Sequence, residues 1–131
     1  MMNERPPPDP GPETAARIAM CRTIAEMRKA LACCLGESFS PAPYLDMLLD
    51  LYVSQSEGQD TYVWSLCMAT SAPLSTAHRK ITDLEQRGLL VLEPGLTDRR
   101  RVGVQLTQEG EAVVVSLVAC FETILGRVKR A

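Results

Sequence analysis

The chain has 131 residues, enough for one domain with a buried core and too few for a catalytic domain beside a second module. Fourteen Lys and Arg against sixteen Asp and Glu leave a formal charge of -2. This excludes a protein that coats nucleic acid or anionic membrane through a broad positive field, so any such partner must be met by a local patch.

No apolar run approaches the roughly 20 residues that span a bilayer, and MMNERPPPDPGPE has no apolar signal-peptide core, so the chain reads as cytoplasmic with no membrane partner. Five of the nine prolines fall in residues 1–12, which predicts a disordered Pro-rich leader there and a single domain over 13–131. From Glu13 to Leu35, Ala15, Ala16, Ile18, Ala19, Ile24, Met27, Leu31, Cys34 and Leu35 recur at helical spacing. Gly36 closes this long amphipathic helix. Prolines 41 and 43 open a second helix, Tyr44 to Ser54, with an apolar stripe of Leu45, Leu48, Leu49 and Tyr52; Gly58 ends the connection.

Thr61 or Asp60 is placed to cap a short third helix through Met68. A fourth, over about 74–87, starts near Ser75 or Thr76 and is stopped by Gly88. Two short helices joined by a few residues form a helix-turn-helix candidate. LLVLE then reads as a strand, PGLTD as a turn, and RVGVQL as a strand with Val102, Val104 and Leu106 on one face. Thr107 caps a last helix over 108–130, whose apolar positions run from Val113 to Val128. The predicted fold class is mainly α with a small two-stranded β wing. A lone hairpin is marginal in water, so it must lean on the helices before it.

The five cysteines, Cys21, Cys33, Cys34, Cys67 and Cys120, show no C-x-x-C spacing, and His78 is the only histidine. No metal site and no cofactor are expected. Most of these thiols sit among apolar residues, as small core groups do. There is no phosphate-cradling glycine loop, no HExxH and no nucleophile elbow, so the chain is not read as an enzyme and no catalytic residue is named.

In LSTAHRKITDLEQR the spacing of Leu74, Ala77, Ile81 and Leu84 marks a buried face. That turns Ser75, Thr76, His78, Arg79 and Thr82 outward, all able to hydrogen-bond base edges or phosphates; a solvated helix face is the plainer reading of the same pattern. The wing weighs against that plainer reading. Arg99, Arg100 and Arg101 crowd a hairpin tip, where self-repulsion is unfavourable unless an acidic partner or a phosphate backbone compensates it. Arginine at such a tip is suited to a narrow minor groove. From Pro73 to Thr107 six Lys or Arg face four Asp or Glu, a local excess of two positive charges in a net-negative chain.

The segment from Tyr44 to Gly110 resembles the winged helix-turn-helix of the MarR family of bacterial transcription regulators. The residues that carry the resemblance are HRKITDLEQRGLL, like the family's recognition helix ending in Leu-Glu-x-x-Gly-Leu, and DRRRVGVQLTQEG, like its Asp-x-Arg, alternating strand and Leu-Thr-x-x-Gly. The resemblance implies a winged-helix lobe over 44–107 and dimerisation helices over 13–36 and 108–130. It implies DNA binding by Ser75, Thr76, His78, Arg79 and Thr82 in the major groove. The wing, 93–102, would reach the minor groove through Arg100, flanked by Arg99 and Arg101, with Asp98 bracing the turn. The implied partners are a second copy of the chain and double-stranded DNA with a pseudopalindromic operator.

The chain departs from the pattern where the family places an arginine after Gly-Leu-Ile-x. It has Leu92 followed by Glu93, which weakens the expected phosphate grip. His78 stands where a small hydroxyl residue is common in the family, and would strengthen binding as pH falls towards about 6. The family also implies release of DNA by a small-molecule effector or an oxidant. Tyr44, Met47, Tyr62, Trp64 and Met68 are the bulky groups near the expected cleft, but such residues are more often core, and no effector site is assigned. The competing readings are a winged-helix module that binds an acidic protein surface, and an oxidant sensor working through Cys21, Cys33 or Cys34.

Overall fold

The computed structural model describes residues 11–35, 43–70, 72–95 and 101–130. Pro12 opens α1, Pro12–Leu35, and Pro43 opens α2, Pro43–Ser56. A proline at the first helical position gives up only an amide that would have had no partner in the helix. The proposed leader, apart from its last two residues, and the Gly36 stop lie outside the described residues.

α2 is the central helix. It buries Met47, Leu48, Leu49, Leu51 and Tyr52, with Met47 and Leu51 fully shielded, and packs against α1, α5, the helix-turn-helix and the sheet. Burial of a side chain of that size contributes about 1.5–3 kcal/mol. Ile18, Cys21 and Ile24 from α1 join one continuous core with residues from every other helix and from the sheet.

After α2 the chain turns at Gly58, whose φ of 73° suits glycine. The structure then departs from the sequence reading. Thr61–Tyr62 is a short strand, β1, and Tyr62, not Thr61 or Asp60, holds the N-cap position of the next helix. A β-branched and an aromatic residue suit an extended, half-buried edge, and β1 pairs antiparallel with β3, Thr61 opposite Val104. The wing is therefore part of a three-stranded sheet in the order β1-β3-β2, where two strands were expected.

Helix α3, Val63–Met68, starts directly from β1. Ser65 Oγ accepts the Tyr62 amide proton at 3.0 Å and donates to the Tyr62 carbonyl at 2.9 Å, taking the place of the expected Thr61 or Asp60 cap.

Helix α4, Leu74–Gln86, ends as expected at Gly88, φ 76°. Strands β2, Leu90–Glu93, and β3, Gly103–Leu106, pair in antiparallel register, Leu90 opposite Leu106 and Leu92 opposite Val104. Leu90, Val104 and Leu106 point into the core, so the hairpin does lean on the helices. Gln55 of α2 accepts the Leu106 amide proton at 2.5 Å.

Thr107 caps α5, Gln108–Arg130, as its position predicts: its Oγ1 accepts the Gly110 amide proton at 3.0 Å. The same hydroxyl donates to the Gly88 carbonyl at 2.6 Å, while the Thr107 amide donates to the Leu89 carbonyl at 3.1 Å. One threonine thus ties the start of α5 to the turn that ends α4.

Candidate nucleic-acid interface

Helix α4 presents two chemistries. Ala77, Ile81 and Leu84 are buried at 0–2% exposure, one turn apart, and fix the rotation of the helix against α2 and α3. Ser75, His78, Arg79 and Thr82 are exposed, and Thr76 is half-buried at the edge. The Thr82 hydroxyl donates to the His78 carbonyl at 3.1 Å, so towards solvent it offers only its acceptor lone pairs. Leu74 was expected on the buried face and is not there. It is 50% exposed, because the helix begins at this residue and its first turn extends beyond the core edge.

A network that sequence reasoning missed neutralises one flank of α4. The Tyr44 hydroxyl at the start of α2 donates to Asp83 Oδ2 at 2.7 Å, and Arg87 Nε reaches the same oxygen at 3.2 Å. Lys80 Nζ donates to the Tyr44 hydroxyl at 3.2 Å and lies 4.6 Å from the ring centroid. The Tyr44 hydrogen bond, with the nearby cations Arg87 and Lys80, holds the Asp83 carboxyl below the usual carboxylate range. Lys80 and Arg87 are thereby occupied, whereas Arg79 makes no salt bridge among the described residues.

Of the wing residues, Arg101 is described. It is exposed, and its guanidinium lies 5.7 Å from the centroid of the Tyr62 ring, a contact between the tip side of the hairpin and β1. Asp98, Arg99 and Arg100 lie outside the described residues. Glu93 at the end of β2 is exposed and Leu92 is half-buried.

The bulky residues near the expected cleft do not share one setting. Met47 is fully buried core, Tyr44 holds Asp83 and Lys80, Tyr62 lies under Arg101, and Trp64 and Met68 are exposed at 66% and 54%. A cleft of about 290 Å³ between α1 and α2 is lined instead by Cys21, Ala25, Arg28, Asp46, Leu49 and Asp50 among others. Its walls carry a buried ion pair in which Arg28 Nε and Nη2 reach the two Asp46 oxygens at 2.5 and 2.9 Å. Burial pushes the Asp50 carboxyl up and the Cys21 thiol up to about 11. Burial that favours the protonated thiol weighs against Cys21 as an oxidant-sensing thiolate. Cys33 and Cys34 fall where side chains are outside the described residues. Among the described residues no cluster of three or more His, Cys, Asp or Glu could hold a metal ion.

No family model matches the sequence, and no curated protein matches it. Solved structures do. S. aureus MepR in its DNA-binding conformation is similar at a TM-score of 0.58 and 20% identity, over 83% of this chain and 79% of MepR. A MarR family transcriptional regulator from Silicibacter pomeroyi aligns at 0.54 and 20%, over 92% of this chain and 80% of its own. The fold is the MarR-type winged helix. S. pneumoniae FabT in complex with DNA has the same arrangement at 0.56 and 14%, over 84% of this chain and 73% of FabT. In the terms of the MarR-type winged helix, α3 and α4 are the helix-turn-helix pair, β2 and β3 the wing, and α1 and α5 the long flanking helices. No described helix is long and apolar enough to cross a membrane.

Proposed function

We propose that the chain is a homodimeric, sequence-specific DNA-binding transcriptional regulator, working where the bacterial chromosome is and without catalysis. One observation carries the reading. α4 is clamped by Ala77, Ile81 and Leu84 while Ser75, His78 and Arg79 face solvent, and its other cation, Lys80, is held on the hydroxyl and ring of Tyr44. Arg79 is thus the cation of this helix left to meet a partner. In this reading Ser75, Thr76, His78, Arg79 and Thr82 enter the major groove, and Asp98, Arg99, Arg100 and Arg101 form the wing that follows the minor groove. The resemblance of fold to DNA-bound FabT supports the same assignment.

Dimerisation is supported by the terminal helices. Val113 and Ile124 on α5 are 39% and 52% exposed, and eleven residues of an α-helix bring them back to the same side, with Leu117 and Cys120 between. Met27 on α1 is 42% exposed. These groups lie outside the stripe of Val114 and Val118 that the chain's own core covers. A two-fold dimer would place two α4 helices on half-sites about 34–36 Å apart and supply the interface that one lobe lacks.

The test is an alanine scan of Ser75, His78 and Arg79 against an enriched duplex and single-base variants of it. Loss of a base contact costs about 1–3 kcal/mol and relaxes preference at one position per half-site. A scan that leaves every base preference unchanged contradicts the assignment of α4.

A further inference from the structure

Leu74 is the one apolar residue whose position on α4 defies its spacing: half its surface is in water at the first residue of the helix. It is one turn before His78 and two before Thr82, so the three follow one line along the helix, next to Ser75. Both successors on that line are exposed. The residue that precedes the helix, Pro73, makes no side-chain capping bond, and Leu74 can make none, so neither serves as a polar cap. A leucine thus stands uncovered at the leading end of a row of hydrogen-bonding groups.

On the major-groove edges of the four base pairs, the groups offered are donors and acceptors with one exception, the thymine C5-methyl. Leucine has no donor and gains nothing from a phosphate, and the apolar feature within reach of a row that reads base edges is that methyl. Resting on the DNA-reading role above, we propose that Leu74 is a specificity-determining residue that packs on the methyl group of one thymine in each half-site. The continuity of Leu74 with His78 and Ser75 favours DNA over a protein as its occupant. The exposed Trp64 and Met68 belong to α3, off that line.

The experiment uses the whole protein and the duplex it enriches from a random pool, with each thymine replaced in turn by deoxyuridine, which keeps every hydrogen-bonding group and lacks only the methyl. The expected result is an affinity loss of about fourfold at one thymine per half-site, the equivalent of exposing one methyl-sized group, and no loss elsewhere on that line. Leu74→Ala, at an exposed position, binds thymine and deoxyuridine alike there, and Leu74→Val retains part of the discrimination. Indifference of the wild type to deoxyuridine at every position, or unchanged discrimination in Leu74→Ala, overturns the assignment of Leu74 while leaving the DNA reader intact. Failure to enrich any duplex overturns the DNA-reading role and the proposal with it.

Discussion

At the scale of single residues, the outward set on α4 was legible because helical periodicity alone separates Ala77, Ile81 and Leu84 from Ser75, His78 and Arg79. Partners distant in sequence were not. Tyr44 and Asp83 are 39 positions apart, and nothing in either neighbourhood signals their contact. That contact has a consequence for pH dependence. Because the folded state holds the Asp83 carboxyl below its ordinary range, its contribution is complete above about pH 4–5 and is lost as pH falls through the lowered value. Tyr44→Phe removes the largest cause of the shift. The gap in Tm between wild type and Tyr44→Phe should therefore narrow between about pH 7 and pH 3; a gap constant with pH contradicts this role for Tyr44.

Cysteine reactivity follows from burial at the same scale. Cys21 and Cys67 are buried, burial raises both thiols above their ordinary values, and Cys120 is exposed. Alkylation of the native protein at about pH 7.5, read cysteine by cysteine by mass spectrometry, should reach Cys21 and Cys67 only as the chain unfolds. Prompt labelling of Cys21 in the folded protein would favour the Cys21 branch of the sensor reading.

At the scale of elements, the helices and the hairpin were readable from capping residues and periodicity: Pro43, Gly88 and Thr107 do what their residue types lead one to expect. β1 was not readable. Two residues carry no period, and Thr61 serves equally as a helix cap or as an edge strand until β3 is beside it. The joint between α5 and the wing yields a prediction of stability. A Cβ on Gly110 would lie 2.0 Å from the Leu89 carbonyl oxygen and 3.0 Å from Leu106 Cδ2. Glycine to alanine within a helix normally gains about 1 kcal/mol. Here the clash is with backbone that cannot swing aside, and overpacking of this kind costs about 1–3 kcal/mol or more. Gly110→Ala should lower the urea midpoint, whereas Gly126→Ala, whose Cβ meets nothing within 4 Å, should not. Equal midpoints for wild type and Gly110→Ala would show that α5 can shift without cost.

At the scale of the whole molecule, a chain with a net charge of -2 can bind a polyanion only by concentrating its cations, and the sequence shows that concentration between Pro73 and Thr107. The structure adds that within this segment Lys80 is held by Tyr44 and the exposed Arg87 by Asp83, whereas Arg79 and Arg101 are exposed and make no salt bridge among the described residues. Uncovered apolar groups on α1 and α5 give the same molecule a means of pairing. The central claim, a dimer that reads DNA with α4 and grips it with the wing, is tested most directly by selecting bound sequences from a random duplex pool at moderate salt, with wild type and Arg100→Ala in parallel. The expected result is a two-fold-symmetric site enriched by the wild type and lost, across all sequences, in Arg100→Ala. No enrichment by a wild-type protein that is folded and dimeric in sedimentation would contradict the account and favour a winged helix that binds protein.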